Sequence, residues 1–161
     1  MSAALAMAET ETKPDGAPAG AREAGAASEP APRGPASIAR LAGLPAGDQL
    51  KLLVLAGFGA GFASVAPGTF GTAVALVIHA ALARVLDERL FLLPLAALFF
   101  AATWAWGGLA ERVYGKKDPS QVVSDELVGY FIAAAFLEGA LPGFWTRALG
   151  AFLVFRLFDI V

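Results

Sequence analysis

Leu90 to Ala110 reads LFLLPLAALFFAATWAWGGLA, 21 residues without a charged side chain. A helix needs about 20 mostly apolar residues to cross roughly 30 Å of hydrocarbon. This stretch alone meets that requirement, so it predicts a membrane-spanning helix and an all-α fold. Upstream, Leu52 to Ala83 is also free of formal charge, with His79 its only titratable side chain. That run is too long for one span and carries Gly57, Gly59, Gly61, Pro67, Gly68 and Gly71 near its middle. It divides there into a short helix or re-entrant element, Leu52–Ala63, and a span, Phe70–Leu86. Downstream, Leu127–Leu137 and Ala148–Phe155 are apolar but short. They reach span length only by taking in Glu138, or Arg156 and Asp159. A charge at the bilayer centre costs about 2.5–3.5 kcal/mol, so these residues are expected near helix ends or facing inward.

The expected architecture is therefore a multi-span helical membrane bundle of about four spans, 70–86, 91–110, 127–141 and 147–161. A compact soluble bundle with unusually apolar helices is the alternative. Asp118-Pro119 reads as an N-cap followed by proline at the first helical position. Pro142-Gly143 breaks the chain between the last two runs. Pro94 is placed in the first turn of the second span, where its missing N–H costs little.

Composition narrows the function classes. The chain has 161 residues, 57% hydrophobic and 16% charged, with a net charge of -2. Soluble domains average about 45–50% apolar and about 25% charged. There is no bulk basic field for nucleic acid. Cysteine is absent and His79 is the one histidine. Thiolate chemistry, and mechanisms that use two histidines of one chain, are thereby excluded. Residues 1–37 contain no Val, Ile, Phe, Tyr or Trp and read as a disordered Ala/Pro/Gly-rich tail, leaving 38–161 as the helical domain.

Basic residues set an expected orientation. Arg33, Arg40, Lys51, Arg112, Lys116 and Lys117 fall on one side of the proposed spans, and Arg84, Arg89 and Arg147 on the other. The positive-inside rule makes the richer side cytoplasmic. The 111–126 loop and the C-terminal end of the last span share that side.

Three polar clusters stand out against this background. Gly61 to Thr72, GFASVAPGTFGT, reads either as a backbone N–H cradle for a phosphate or as a tight turn with small residues for close packing; Thr69 is a candidate cap for the helix that follows. Asp118 to Gly129, DPSQVVSDELVG, places three carboxylates at the mouth of a span, as ligands for a hard cation or as acidic capping of a helix. Gly129 would let a neighbouring backbone come close. Phe155 to Asp159, FRLFD, puts Arg156 and Asp159 on one helix face, as a self-satisfied ion pair or as phosphate and metal contacts. His79 reads as a satisfied helix histidine or an interfacial one, and Trp104, Trp106 and Trp145 as packing or interface residues.

Together the three clusters resemble the phosphatidylglycerophosphatase A family, from about Leu52 to the last residue. The resemblance implies an all-helical bundle and a magnesium-dependent lipid phosphatase. The substrate would be phosphatidylglycerophosphate, cleaved to phosphatidylglycerol and phosphate at the cytoplasmic face of a bacterial-type inner membrane. It also implies catalytic roles for Asp125, Glu126, Arg156 and Asp159. Phosphate contacts would come from Pro67, Gly68, Thr69 and Gly71 as a loop, with Arg156, and metal ligation from Asp118, Asp125, Glu126 and Asp159. Family members continue past the FRxFD segment into a Lys-Pro-x-Pro stretch. This sequence stops at Val161, so the expectation is either that the sequence is truncated there or that the family's tail is missing.

In that reading the partners are the phospholipid substrate and the bilayer, with no nucleic acid. Carboxylates and Mg2+ neutralise the phosphoryl oxygens, while Arg156 and the 67–71 amides stabilise the transferring group. Two other readings stand beside it. One is a phosphatase for a different phospholipid monoester. The other is a non-enzymatic helical membrane protein whose carboxylates pair with Arg156, Lys116 and Lys117.

Overall fold

The structure is a computed structural model describing residues 35–160. Six helices follow one another: α1 Pro35–Ala42, α2 Ala46–Leu55, α3 Pro67–Leu82, α4 Glu88–Tyr114, α5 Ser124–Leu137 and α6 Phe144–Ile160. A 3-10 segment, Gly57–Phe62, joins α2 to the loop before α3. No strand occurs among the described residues. Helix α1 starts inside the stretch read as a tail; residues 1–34 of that stretch, and Val161, lie outside the described residues.

The central element is α5, which packs against α3, α4 and α6. Its buried face, Leu127, Tyr130, Phe131 and Ala134, meets Ala75 of α3, Phe91, Leu92, Ala96 and Phe99 of α4, and Ala151 of α6. A second cluster joins Leu52 and Leu55 of α2 to Ala110 and Tyr114 of α4. Other apolar side chains point outward: Leu93, Leu98, Phe100 and Trp104 on α4, Phe136 on α5, and Leu153 and Leu157 on α6. Such a large apolar exterior marks a surface that meets something other than water.

The expected boundaries shift in several places. Helix α4 has 27 residues and is long and apolar enough to cross a membrane. At a rise of about 1.5 Å per residue it measures about 40 Å. Helix α3 has 16 residues, α5 has 14 and α6 has 17. Among the described residues α4 alone meets the length criterion. Asp87 caps α4 by accepting from the Arg89 amide at 3.0 Å, and Gly115 closes it in the left-handed conformation at φ 67°. Pro94 consequently sits inside the helix, not in its first turn. Asp118 is no N-cap: residues 118–123 are a non-helical connection, Asp118 has φ 49°, and α5 begins at Ser124. Thr69 does not cap α3, which starts at Pro67 behind Ala66 in the left-handed region. Pro67, Gly68, Thr69 and Gly71 are thus its first two turns, not a loop.

The end of the bundle away from the three motifs is tied by polar groups. His79 hydrogen-bonds Tyr130 through Nδ1 at 2.9 Å and Glu88 through Nε2 at 3.0 Å. Arg147 donates to the other oxygen of Glu88. Arg89 donates to both oxygens of Glu138 at the surface. His79 is the satisfied helix histidine its setting suggested, and α3, α4, α5 and α6 are linked through it.

Candidate functional site

The three motifs converge at the opposite end. The connection 121–123 packs on the glycine-rich segment with almost no space between. A β-carbon on Gly61 would stand 2.0 Å from the Gln121 carbonyl oxygen, and one on Gly71 would stand 3.0 Å from the Val123 β-carbon. The Val123 amide donates to the Leu55 carbonyl at 2.9 Å. Gly61 and Gly71 are therefore where main chain meets main chain or a branched side chain, which is the close-packing reading of that motif. Thr72 is buried and its hydroxyl donates to the Gly68 carbonyl at 2.9 Å. On α5, Gly129 accommodates the Phe155 ring of α6; the close neighbour is a side chain, not a backbone.

On that foundation α3, α5 and α6 each deliver a residue to one point. Arg156 Nη1 lies 2.8 Å from Glu126 Oε2 and 2.8 Å from Asp159 Oδ2. Gly68 faces the same group: a β-carbon there would stand 2.2 Å from Glu126 Oε1 and 3.3 Å from Arg156 Nη1. Arg156 and Glu126 are 15% and 14% exposed in their side chains, so the pair is largely desolvated but still reachable. The Arg156 Nε is buried without a partner. Two of the guanidinium's five donors meet carboxylates through one nitrogen, leaving capacity for an oxyanion.

Asp125 points about 100° around α5 from Glu126, as successive helical residues do, and remains close enough to feel the Asp159 charge. With Asp118 it lines a cavity of about 580 Å³ between α4 and the 115–123 connection. Ser124 anchors this corner through a 2.7 Å hydrogen bond to Thr103 of α4. Asp125 and Glu126 occupy the first turn of α5, ahead of the apolar run. Burial raises both carboxyl pKa values above the ordinary range, and the Asp159 charge adds to each. Asp118 also pushes Asp125 upward. Among the described residues no three acidic or imidazole side chains converge as a ready-made cation cage.

The geometry thus sorts the candidate residues. Gly68, Glu126, Arg156 and Asp159 form a cationic corner, in which Glu126 and Asp159 hold the guanidinium. Asp118 and Asp125 form an acidic corner around the cavity. Pro67, Thr69 and Gly71 lie on the same turns of α3 as Gly68. Glu111 of α4 joins the acidic corner as a further cavity-lining carboxylate. The sequence does not single it out, because it stands beside Arg112 and looks like an ordinary charged helix end. The available signal was the spacing of Phe100, Thr103, Trp104, Gly107 and Glu111, which places all five on one face of α4.

Comparisons with known proteins bear on this arrangement. A protein of Bacteroides thetaiotaomicron named "Putative phosphatidylinositol-3-phosphatase" is 40% identical over 116 residues, covering 70% of this chain and 71% of that one. The phosphatidylglycerophosphatase A of Haemophilus influenzae is 34% identical over 110 residues, covering 68% of this chain and 64% of its own length, a little under two thirds. No solved structure matches the chain significantly. Residues 53–161 match the family description Phosphatidylglycerophosphatase A, a span that contains all three motifs and both corners of the site. The match over these residues and the identity to a named phosphatidylglycerophosphatase A lead to one conclusion: the chain is an enzyme of the phosphatidylglycerophosphatase A family.

Proposed function

We propose that this chain hydrolyses the terminal phosphate of phosphatidylglycerophosphate at a membrane surface, releasing phosphatidylglycerol and phosphate. The observation that carries this reading is the meeting of Gly68, Glu126 and Arg156, one residue from each motif, around a single guanidinium. Arg156, held in place by Glu126 and Asp159, orients the phosphoryl group and offsets its charge. Phosphoryl transfer depends mainly on such positioning and electrostatics.

The donor set of the acidic corner suits a hard divalent cation. Magnesium is held by one or two carboxylates, with waters and substrate phosphate completing its shell. Asp125 and Asp118 would hold it, with Glu111 on the facing wall. When bound, the ion neutralises phosphoryl oxygens and lowers the pKa of a coordinated water. The outward apolar side chains of α4, α5 and α6 support a multi-pass placement in a bacterial inner membrane, with the site at the cytoplasmic surface by the distribution of Lys and Arg. A second reading, a different phospholipid monoester as substrate, is supported by the differing lipid in the name of the Bacteroides relative.

Phosphate release in detergent tests both. Phosphatidylglycerophosphate, phosphatidylinositol 3-phosphate and phosphatidate would be compared with and without magnesium. Preference for the first, abolished by EDTA and by Asp125→Asn, supports the proposal. Preference for another monoester transfers the activity to the second reading. Full turnover by Asp125→Asn, or in excess EDTA, removes the metal role.

A further inference from the structure

The cavity beside Asp125 has a second half that phosphate chemistry does not use. Along α4 its lining runs from Phe100 and Trp104 through Gly107 to Glu111. Over twelve residues, about 16.5 Å of helix rise, the wall passes from aromatic to acidic. Phe100 and Trp104 are 60% and 84% exposed, and they are continuous with the outward apolar face formed by Leu93 and Leu98. At the other end stand Asp118 and Asp125. The volume, about 580 Å³, lies in the range of sites that bury small ligands, about 300–1,000 Å³. An aromatic mouth open to the apolar exterior, graded into a polar end, has the apolar-to-polar order of an acyl chain leading to its glycerol, with the phosphate going to Arg156 rather than to these carboxylates. Gly107 keeps the middle of the passage open, since nothing stands within 4 Å of a β-carbon built there.

We propose that this groove on α4 binds the glycerol backbone and proximal acyl chain of a phospholipid monoester, admitting it sideways from the apolar exterior of the bundle. The proposal rests on the reading of the chain as a lipid phosphatase and specifies how that site selects a lipid over a water-soluble phosphate. Gly107 is the gauge of the groove, and Phe100 and Trp104 are its acyl contacts.

Gly107→Phe tests it, because the new ring enters the groove without meeting other atoms at its base, and replacing glycine inside a helix favours the helix. Gly108→Phe is the matched control. Its β-carbon has only the flexible Arg112 guanidinium nearby, at 3.8 Å, and it does not line the cavity. The full chain in detergent with magnesium would be titrated with non-hydrolysable phosphonate analogues of dioleoyl phosphatidate and of glycerol 3-phosphate, with helicity and melting temperature recorded for each variant. The expected result is tighter binding of the dioleoyl analogue by the parent chain, weakened about tenfold or more by Gly107→Phe and by less than about twofold by Gly108→Phe. Equal binding of the dioleoyl analogue by the parent and a folded Gly107→Phe overturns the groove, as does a parent chain that does not favour the long-chain analogue. Chain-length-dependent binding sensitive to Gly107→Phe, without phosphate release from any lipid monoester, sustains the groove and refutes the phosphatase reading instead.

Discussion

Gly68 and Glu126 are in contact in a way that leaves no room for any side chain on the former: its β-carbon would stand 2.2 Å from Glu126 Oε1. The atom in the way is the end of a flexible carboxylate, so the fold can yield while the site cannot. Gly68→Ala is expected to lower kcat/KM by about a hundredfold, because a displacement of about 1 Å at a reacting centre costs that much. The melting temperature should change by only a few degrees, since the helix preference of alanine, less than about 1 kcal/mol in a first turn, offsets part of the cost of displacing the Glu126 carboxylate. Calorimetry beside kinetics checks the split.

Arg156 tests the cationic corner. Arg156→Lys keeps a charge between Glu126 and Asp159 but gives up the planar fork. Turnover should fall by about 10²–10³, the usual cost of one oxyanion donor, while magnesium affinity, followed by the dependence of the melting temperature on magnesium concentration, stays close to that of the parent. Loss of magnesium affinity in this variant would place the cation beside Arg156 rather than beside Asp125.

Glu111 makes the complementary prediction. Glu111→Gln removes a charge from the cavity wall without changing shape. It should raise the magnesium concentration needed for half-maximal activity by about 10–100-fold, what one supporting group contributes, and leave maximal turnover within reach at saturating metal. Activity titrated against magnesium after EDTA treatment measures it.

The acidic corner also sets a pH dependence. Burial raises the Asp125 and Glu126 pKa values above 3.8 and 4.5. A carboxyl whose folded pKa exceeds its unfolded value binds more protons in the native state across the interval between them, so stability falls as pH rises through that interval. The metal-free chain should therefore melt at a lower temperature at neutral pH than at the lower edge of that window. Asp125→Asn should flatten the slope, and magnesium should raise the melting temperature at neutral pH but not at the acid end. Thermal scans with and without EDTA check this.

The far end of the bundle should behave independently. Arg147→Met leaves Glu88 with His79 as its remaining partner in a largely buried setting. Breaking one member of such a pair costs about 3–5 kcal/mol when burial is complete, and somewhat less here because both side chains keep some exposure. The variant should unfold at a clearly lower temperature while its folded fraction retains parental kcat/KM, measured well below the transition.

The helices were legible because apolar runs and punctuation are local properties. Their ends were less so. Residues 119–123 look helical behind Asp118-Pro119, but Val123 is bonded to Leu55 and packed on Gly57 and Gly71. Those contacts come from far along the chain and override the local signal. The acidic and basic motif residues were visible as charges in apolar surroundings. Their division into two corners was not, because it depends on α5 starting at Ser124, which turns Asp125 toward the cavity and Glu126 toward Arg156. Glu111 carries no local signal, because what sets it apart is the cavity it lines and not its neighbours in sequence.

The segment 121–123 rests on Gly57, Gly61 and Gly71 through contacts that include main chain. A floor built that way cannot be edited by exchanging side chains; altering it means moving the backbone and dismantling the reaction centre with it. On the proposed reading of the groove, variation in which lipid is accepted falls to the opposite wall, helix α4, where open space at Gly107 and the exposed Phe100 and Trp104 tolerate rewriting. Changing this enzyme's diet should be a matter of repainting one wall while the floor stays as laid.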